Sequence, residues 1–218
     1  MKFNERAQQL WKQYDPSKNE GSKYFLDSIV ENIRESSKVY TWSFYTTLVF
    51  ASLYWLLNSG NFQEFTFFDF TINDVSLLKW AIPLIMSFVY YQGIGAFIFE
   101  IYCQVLFDNF LTQHASKIEE LELEPFAYPL SFFNLERAFS RGPEPGGKVA
   151  TFFGALVGIS LLLLPPSIII YFIVNNILLL GSFPSDPAKI IILILSSLVL
   201  IRSISMIGFH MTSTNQYN

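Results

Sequence analysis

One cysteine, two histidines and a low share of charge limit what this chain can do. With Cys103 as the sole thiol, no intrachain disulfide can form. Its position in an apolar helical run marks it as a small packing residue. His114 and His210 have no His or carboxylate three or four residues away, so the spacing of a helical metal site is missing. There is no Gly-rich phosphate loop, no Gly-x-Ser-x-Gly elbow and no His-Glu-x-x-His box. Glu119, Glu120, Glu122 and Glu124 form an acidic run at a helix end, which reads as a solvated face. These absences argue against an enzyme, and no catalytic residue, cofactor or metal is expected. A net charge of −4 lacks the basic bias of nucleic-acid binding. Only 15% of residues are charged, where a soluble chain carries about a quarter.

Four long apolar stretches are present instead: Val39–Leu57, Leu77–Phe99, Val149–Leu180, and Ile190–Ile201 running on to Met211. A hydrocarbon core about 30 Å thick takes about 20 mostly apolar helical residues. The first three stretches meet that length, and the fourth meets it if Arg202 is accommodated. The expected fold is all-α, a polytopic membrane protein with four transmembrane helices. Residues 1–38 form a tail and amphipathic helix. Residues 39–121 carry spans one and two with an extension. Residues 122–148 form a loop, and 149–218 carry spans three and four. Residues 1–22 are polar and lack the apolar region of a signal peptide, so span one is expected to anchor itself.

Basic residues set the orientation. The tail holds Lys2, Arg6, Lys12, Lys18, Lys23, Arg34 and Lys38, and the middle loop Lys117, Arg137, Arg141 and Lys148. The other two loops offer only Lys79 and Lys189. Cytoplasmic loops are the Lys/Arg-rich ones. Both termini and the middle loop should then be cytoplasmic. Trp42, Trp55 and Trp80 fall at span ends, where indoles anchor to headgroups.

Two helices should outrun the membrane. Ser22 can cap a helix from Lys23, whose Tyr24, Phe25, Ile29, Val30 and Ile33 form a stripe. Asn73 or Asp74 can cap the second, which continues beyond Phe99 with Ile101, Val105, Leu106, Phe110 and Leu111 towards Leu121. Each stripe needs a partner, and the simplest is the other stripe, from the same chain or a neighbouring copy. Pro125 and Pro129 break this helix, and Ser131 can cap a short interfacial helix bearing Phe132, Phe133, Leu135 and Phe139. Gly142 to Gly147, rich in Gly and Pro, reads as a turn into span three.

Span three carries Ala150, Gly154 and Gly158 at four-residue spacing, a face that lets another helix approach closely. That face serves packing inside the four-helix unit or contact between copies. Pro165 and Pro166 sit mid-span, where each removes a backbone donor and kinks the helix. The carbonyls they free can coordinate an ion or form a hinge, or the kink simply shapes the bundle. Asn175 and Asn176 read as helix terminators. Three polar residues lie deep in the apolar stretches: Gln92, Glu100 and Arg202. An intramembrane Arg is costly, so Arg202 is expected to snorkel or to pair with Gln92 or Glu100. A fork-shaped pairing would let Arg202→Lys rescue only part of the loss caused by Arg202→Ala.

In size and span count the chain resembles the small four-span membrane subunit of the Kiwa anti-phage system. That resemblance implies a bacterial inner membrane and a defence or stress setting. The reading from the residues is a self-associating scaffold or sensor that presents a helical cytoplasmic platform to a soluble protein. Its partners would be the lipid bilayer, copies of itself and that protein. The alternative is a homo-oligomeric channel gated by the Pro165–Pro166 kink, with a membrane enzyme as a third class.

Overall fold

Long uninterrupted helices follow from long runs without breakers. The computed structural model describes residues 3–13, 20–59, 65–67, 70–72, 75–114, 145–179 and 187–214. Five helices are present among them: α1 (Phe3–Gln13), α2 (Glu20–Asn58), α3 (Val75–His114), α4 (Pro145–Leu179) and α5 (Pro187–Thr214). Two short strands, β1 (Phe65–Phe67) and β2 (Phe70–Ile72), pair antiparallel with Thr66 opposite Thr71. At 1.5 Å per residue, the 39-residue α2 and 40-residue α3 are each about 60 Å long. That is about twice a bilayer core.

Three helical segments are long and apolar enough to cross a membrane: Leu78–His114, Leu162–Leu179 and Pro187–Phe209. The stretch Val39–Leu57 in α2 is not among them. It carries no charge, but its Thr, Ser, Tyr and Trp side chains make it less apolar than the others.

The boundaries differ from expectation at three places. α2 starts at Glu20, so Ser22 lies inside the helix rather than capping it. α4 starts at Pro145, so Pro145, Gly146 and Gly147 form its first turn rather than a loop. Proline suits that position because its missing N–H would have no helical partner there. Pro187 opens α5 in the same way. Asn175 and Asn176 do not end α4, which runs on to Leu179. The expected caps Asn73 and Asp74 and the expected interfacial helix after Ser131 lie outside the described residues.

The chain packs as two compact units. Unit 1 takes α1, α2 up to Tyr40, α3 from Gly95, α4 up to Ile159 and α5 from Ile207. Its core is Trp11, Ile29, Ile33, Cys103, Phe107 and Leu111, flanked by Leu10, Leu26, Val30, Leu106 and Phe110. Ile29, Val30 and Ile33 of the α2 stripe and Leu106, Phe110 and Leu111 of the α3 stripe thus share one core within the chain, closed by α1, whereas Tyr24 of the expected stripe is exposed. The outer face of α2 here is polar, with Arg34 bonded to Glu31 and Lys38 to Glu35. The Lys38 ammonium holds the Glu35 carboxyl below its usual range.

Unit 2 takes Thr41–Ile94 and Ser160–Met206. Its α5 segment buries Leu193, Ser196, Leu200 and Ser203, and exposes Ile191, Ile194, Leu198, Ile201 and Ile204. Serine inward and branched aliphatics outward is the reverse of a soluble helix. Small residues at a helix contact allow close approach where lipid surrounds the bundle. Each buried serine bonds back to its own helix, Ser196 Oγ to Ile192 O (2.7 Å) and Ser203 Oγ to Val199 O (2.8 Å). The hydroxyls therefore cost little in an apolar core. Trp42 and Trp55 are exposed, whereas Trp80 is buried, with Lys189 Nζ 5.7 Å from its ring centroid.

Candidate functional site

Two polar groupings are built into these units, one in each. In unit 1 the feature is a strap. α1 lies alongside α3 in the same direction, because Asn4 meets Asn109, Gln8 meets Gln113 and Trp11 meets His114. Asn109 Nδ2 donates to Asn4 Oδ1 (2.7 Å), and Gln113 Nε2 donates to Gln8 O (3.1 Å). With its proton on Nε2, His114 donates to Trp11 O (2.9 Å), a carbonyl that the end of α1 leaves without a helical donor. Trp11 is 1% exposed. Its Nε1 donates to Leu106 O (2.8 Å), and its ring meets Phe110 and Phe25.

Glu100 lies in the same unit and is 1% exposed. Its Oε1 accepts from Gln104 Nε2 one turn on (3.0 Å). Tyr40 and Cys103 are within its electrostatic reach. Burying a carboxyl in an apolar helix is costly, so such a residue marks a role by default. Among the polar residues expected from sequence, Glu100 is the one the fold encloses.

In unit 2 the feature is a pair of ties between α3 and α4, each placed at a proline. A proline at position i leaves the carbonyl at i−4 without its helical donor. Pro166 frees Leu162 O, and Tyr90 Oη on α3 donates to that carbonyl (3.0 Å). Pro83 frees Lys79 O, and Asn176 Nδ2 on α4 donates to that one (3.4 Å). The helices therefore exchange donors: each supplies a side chain for the gap that proline opens in the other. Asn176, 1% exposed, also accepts from Tyr54 Oη (2.8 Å), and Asn175 Nδ2 donates to the same Tyr54 oxygen (3.0 Å). Tyr54 stacks on Phe172 with centroids 3.8 Å apart. This knot joins α2, α3 and α4 at one level.

The other expected residues are placed as follows. Pro165 and Pro166 are buried inside α4, which is continuous through them. The carbonyl that Pro166 frees is engaged by Tyr90 rather than open for an ion. Ala150, Gly154 and Gly158 lie in α4, but the surroundings of their side-chain positions fall outside the described residues. Gln92 and Arg202 are both exposed in unit 2, and no hydrogen bond joins them. Among the described residues the Arg202 guanidinium makes no hydrogen bond or ion pair. Of the two expectations for Arg202, pairing with Gln92 or Glu100 is not seen among the described residues: Ser203 and Leu200 occupy the inward face of α5, which turns Arg202 outward and leaves the snorkelling alternative. A guanidinium on an outward face can extend along its own stem towards a polar boundary, as a lysine can. Arg202→Lys is therefore expected to keep native mass and stability within about 0.5 kcal/mol, as surface substitutions do. A loss of several kcal/mol on thermal unfolding in detergent would contradict that placement.

Among the described residues no group of three or more His, Cys, Asp or Glu is arranged to hold a metal ion. Sequence reasoning missed Tyr54, Tyr90 and Trp11 as site residues. Trp11 had a signal, since Phe3, Ala7, Leu10 and Trp11 share one helical face. The chain matches no known protein family, no curated protein and no solved structure.

Proposed function

We propose that this chain is a four-span membrane protein that self-associates and presents unit 1 as a helical platform to a soluble protein on the cytoplasmic side. The observation that carries this is the Trp11-closed core, built on the parts of α2 and α3 that exceed a bilayer. Helices that only anchor have no need of a second core outside the lipid. Basic residues support the orientation. Arg6, Lys12, Lys23, Arg34, Lys38 and Lys148 fall in unit 1, against Lys79, Lys189 and Arg202 in unit 2. The exposed face of unit 1 mixes both signs, with Glu5, Arg6, Lys12, Glu31, Arg34, Glu35 and Lys38. A mixed surface suits a protein partner better than an anionic lipid surface, which selects for one sign. In this reading α2 is the fourth span, and Trp42 and Trp55 are its interfacial anchors. The layout resemblance supplies the proposed setting, a bacterial inner membrane and a defence or stress role.

Self-association is assigned to the small-residue face of α4. Native mass in detergent should correspond to several copies. Gly154→Leu with Gly158→Leu should lower that mass by pushing apart the helices packed there. A monomeric wild-type mass would contradict self-association. An unchanged mass in the double variant would move the contact elsewhere.

A further inference from the structure

We infer that the β1–β2 hairpin is a membrane-surface element, whose apolar face rests in the lipid boundary at the Val75 end of α3 while its threonine face meets water. The inference rests on α3 crossing the membrane and is indifferent to which leaflet lies at that end.

The register divides the ribbon by chemistry. Phe65 pairs with Ile72, Thr66 with Thr71 and Phe67 with Phe70. Directly opposed residues share a face, and successive residues alternate between faces. Phe65, Phe67, Phe70 and Ile72 therefore fall on one face, and Thr66 and Thr71 on the other. A lone two-stranded hairpin is at best marginally stable in water. Its apolar face needs a cover.

Three observations make the lipid boundary that cover. The first is location. Ile72 and Val75 are three positions apart, so the ribbon ends within about 10 Å of the start of α3. The segment apolar enough to cross a membrane begins at Leu78. The second is the character of that end of unit 2. Tyr54 and Lys79 are both bonded to Asn176, so the end of α2, the start of α3 and the end of α4 meet at one level. There α2 leaves Trp55 77% exposed and α4 leaves Leu178 75% exposed, with Leu56 and Leu179 exposed beside them. The hairpin belongs to the same unit and leaves this apolar rim uncovered. A rim of Trp and Leu at the end of a span suits the membrane interface, and the ribbon brings the same chemistry to the same end. The third is depth. A two-stranded ribbon has two outer edges whose N–H and C=O groups point away from the ladder. Hydrocarbon does not tolerate such open edges. The headgroup boundary does, because water reaches the edges there while aromatic rings are also favoured.

The test uses spin labels on single cysteines in the full Cys103→Ala chain, in liposomes of phosphatidylcholine and phosphatidylglycerol. Collision with oxygen, which partitions into lipid, is compared with collision with a water-soluble nickel chelate. Labels on Phe67→Cys and Ile72→Cys should favour oxygen several-fold more than labels on Thr66→Cys and Thr71→Cys. Phe88→Cys, at an exposed position within the span of α3, is the reference and should favour oxygen too. The two threonine variants leave the apolar face intact, and the depth of their labels should match the headgroup layer. Labels at 67 and 72 that favour the chelate place the ribbon in water and overturn the inference. Labels there that are shielded from both reagents place its face against protein and overturn it as well, as does a depth for 66 and 71 well out in bulk water. A Phe88→Cys label that favours the chelate overturns the span and the inference together.

Discussion

Replacing Trp11 by Ala is expected to release α1 while α2 and α3 stay helical. The indole is the one large anchor of an 11-residue helix. Truncating a buried Trp to Ala costs about 3–5 kcal/mol. At the middle of that range the loss is larger than what three polar ties supply, at about 1 kcal/mol each. Amide hydrogen exchange in detergent should show residues 3–13 losing protection, with the α2 and α3 amides less affected. Trp11→Phe separates the ring from its N–H. It keeps most of the apolar body and loses the donor to Leu106 O. That carbonyl sits mid-helix and keeps its helical donor, so the loss should be about 1 kcal/mol. Unchanged protection of residues 3–13 in Trp11→Ala would show that the indole does not hold the strap.

The proline ties give the second large effect. Asn176→Leu should destabilise unit 2 by about 1–3 kcal/mol, the cost of leaving a buried polar group unsatisfied. Two groups lose a partner at once. Lys79 O has no helical donor because position 83 is proline, and Tyr54 Oη loses its acceptor. Interhelical hydrogen bonds in lipid are often worth less, about 0.6 kcal/mol on average. The proline is what places this case towards the upper end. Pro83→Ala restores a backbone N–H within reach of Lys79 O. It should therefore stabilise the Asn176→Leu background more than it stabilises the wild type. A double-mutant cycle on thermal unfolding reads that difference directly. A coupling of zero between the two positions would mean that the long Asn176 contact, 3.4 Å, carries no energy.

The sequence was most readable where one face of one helix decides the outcome. The stripes of Ile29, Val30 and Ile33 and of Leu106, Phe110 and Leu111 were visible by spacing, and the structure joins them in one chain, together with Cys103 and Phe107, which lay outside the expected stripe. The strap was harder to see. Its Phe3, Ala7, Leu10 and Trp11 are diluted by Glu5, Arg6, Gln8, Gln9, Lys12 and Gln13. A helix this polar takes its stability from docking, and docking is not a local property. The prolines announced their freed carbonyls, because a missing N–H is a fact of sequence. Their donors, Tyr90 and Asn176, depend on how α3 and α4 are rotated against each other, and no single-helix pattern encodes that. Arg202 shows the same division. Its depth along the helix follows from counting residues, whereas its outward face follows from Ser196, Leu200 and Ser203 packing inward.

As proposed, α2 crosses the membrane as a fourth span and leaves unit 1 on the cytoplasmic side. Ser59 ends α2, its N–H donating to Trp55 O and Leu56 O, and it is exposed. Lys12 is exposed on α1. The direct test places a single cysteine at either position in a Cys103→Ala chain. Sealed vesicles with the outer face outward are then treated with a membrane-impermeant thiol reagent. Ser59→Cys should label at once, and Lys12→Cys only after the vesicles are permeabilised. Labelling of both positions from the same side would contradict the account, because α2 would then not span.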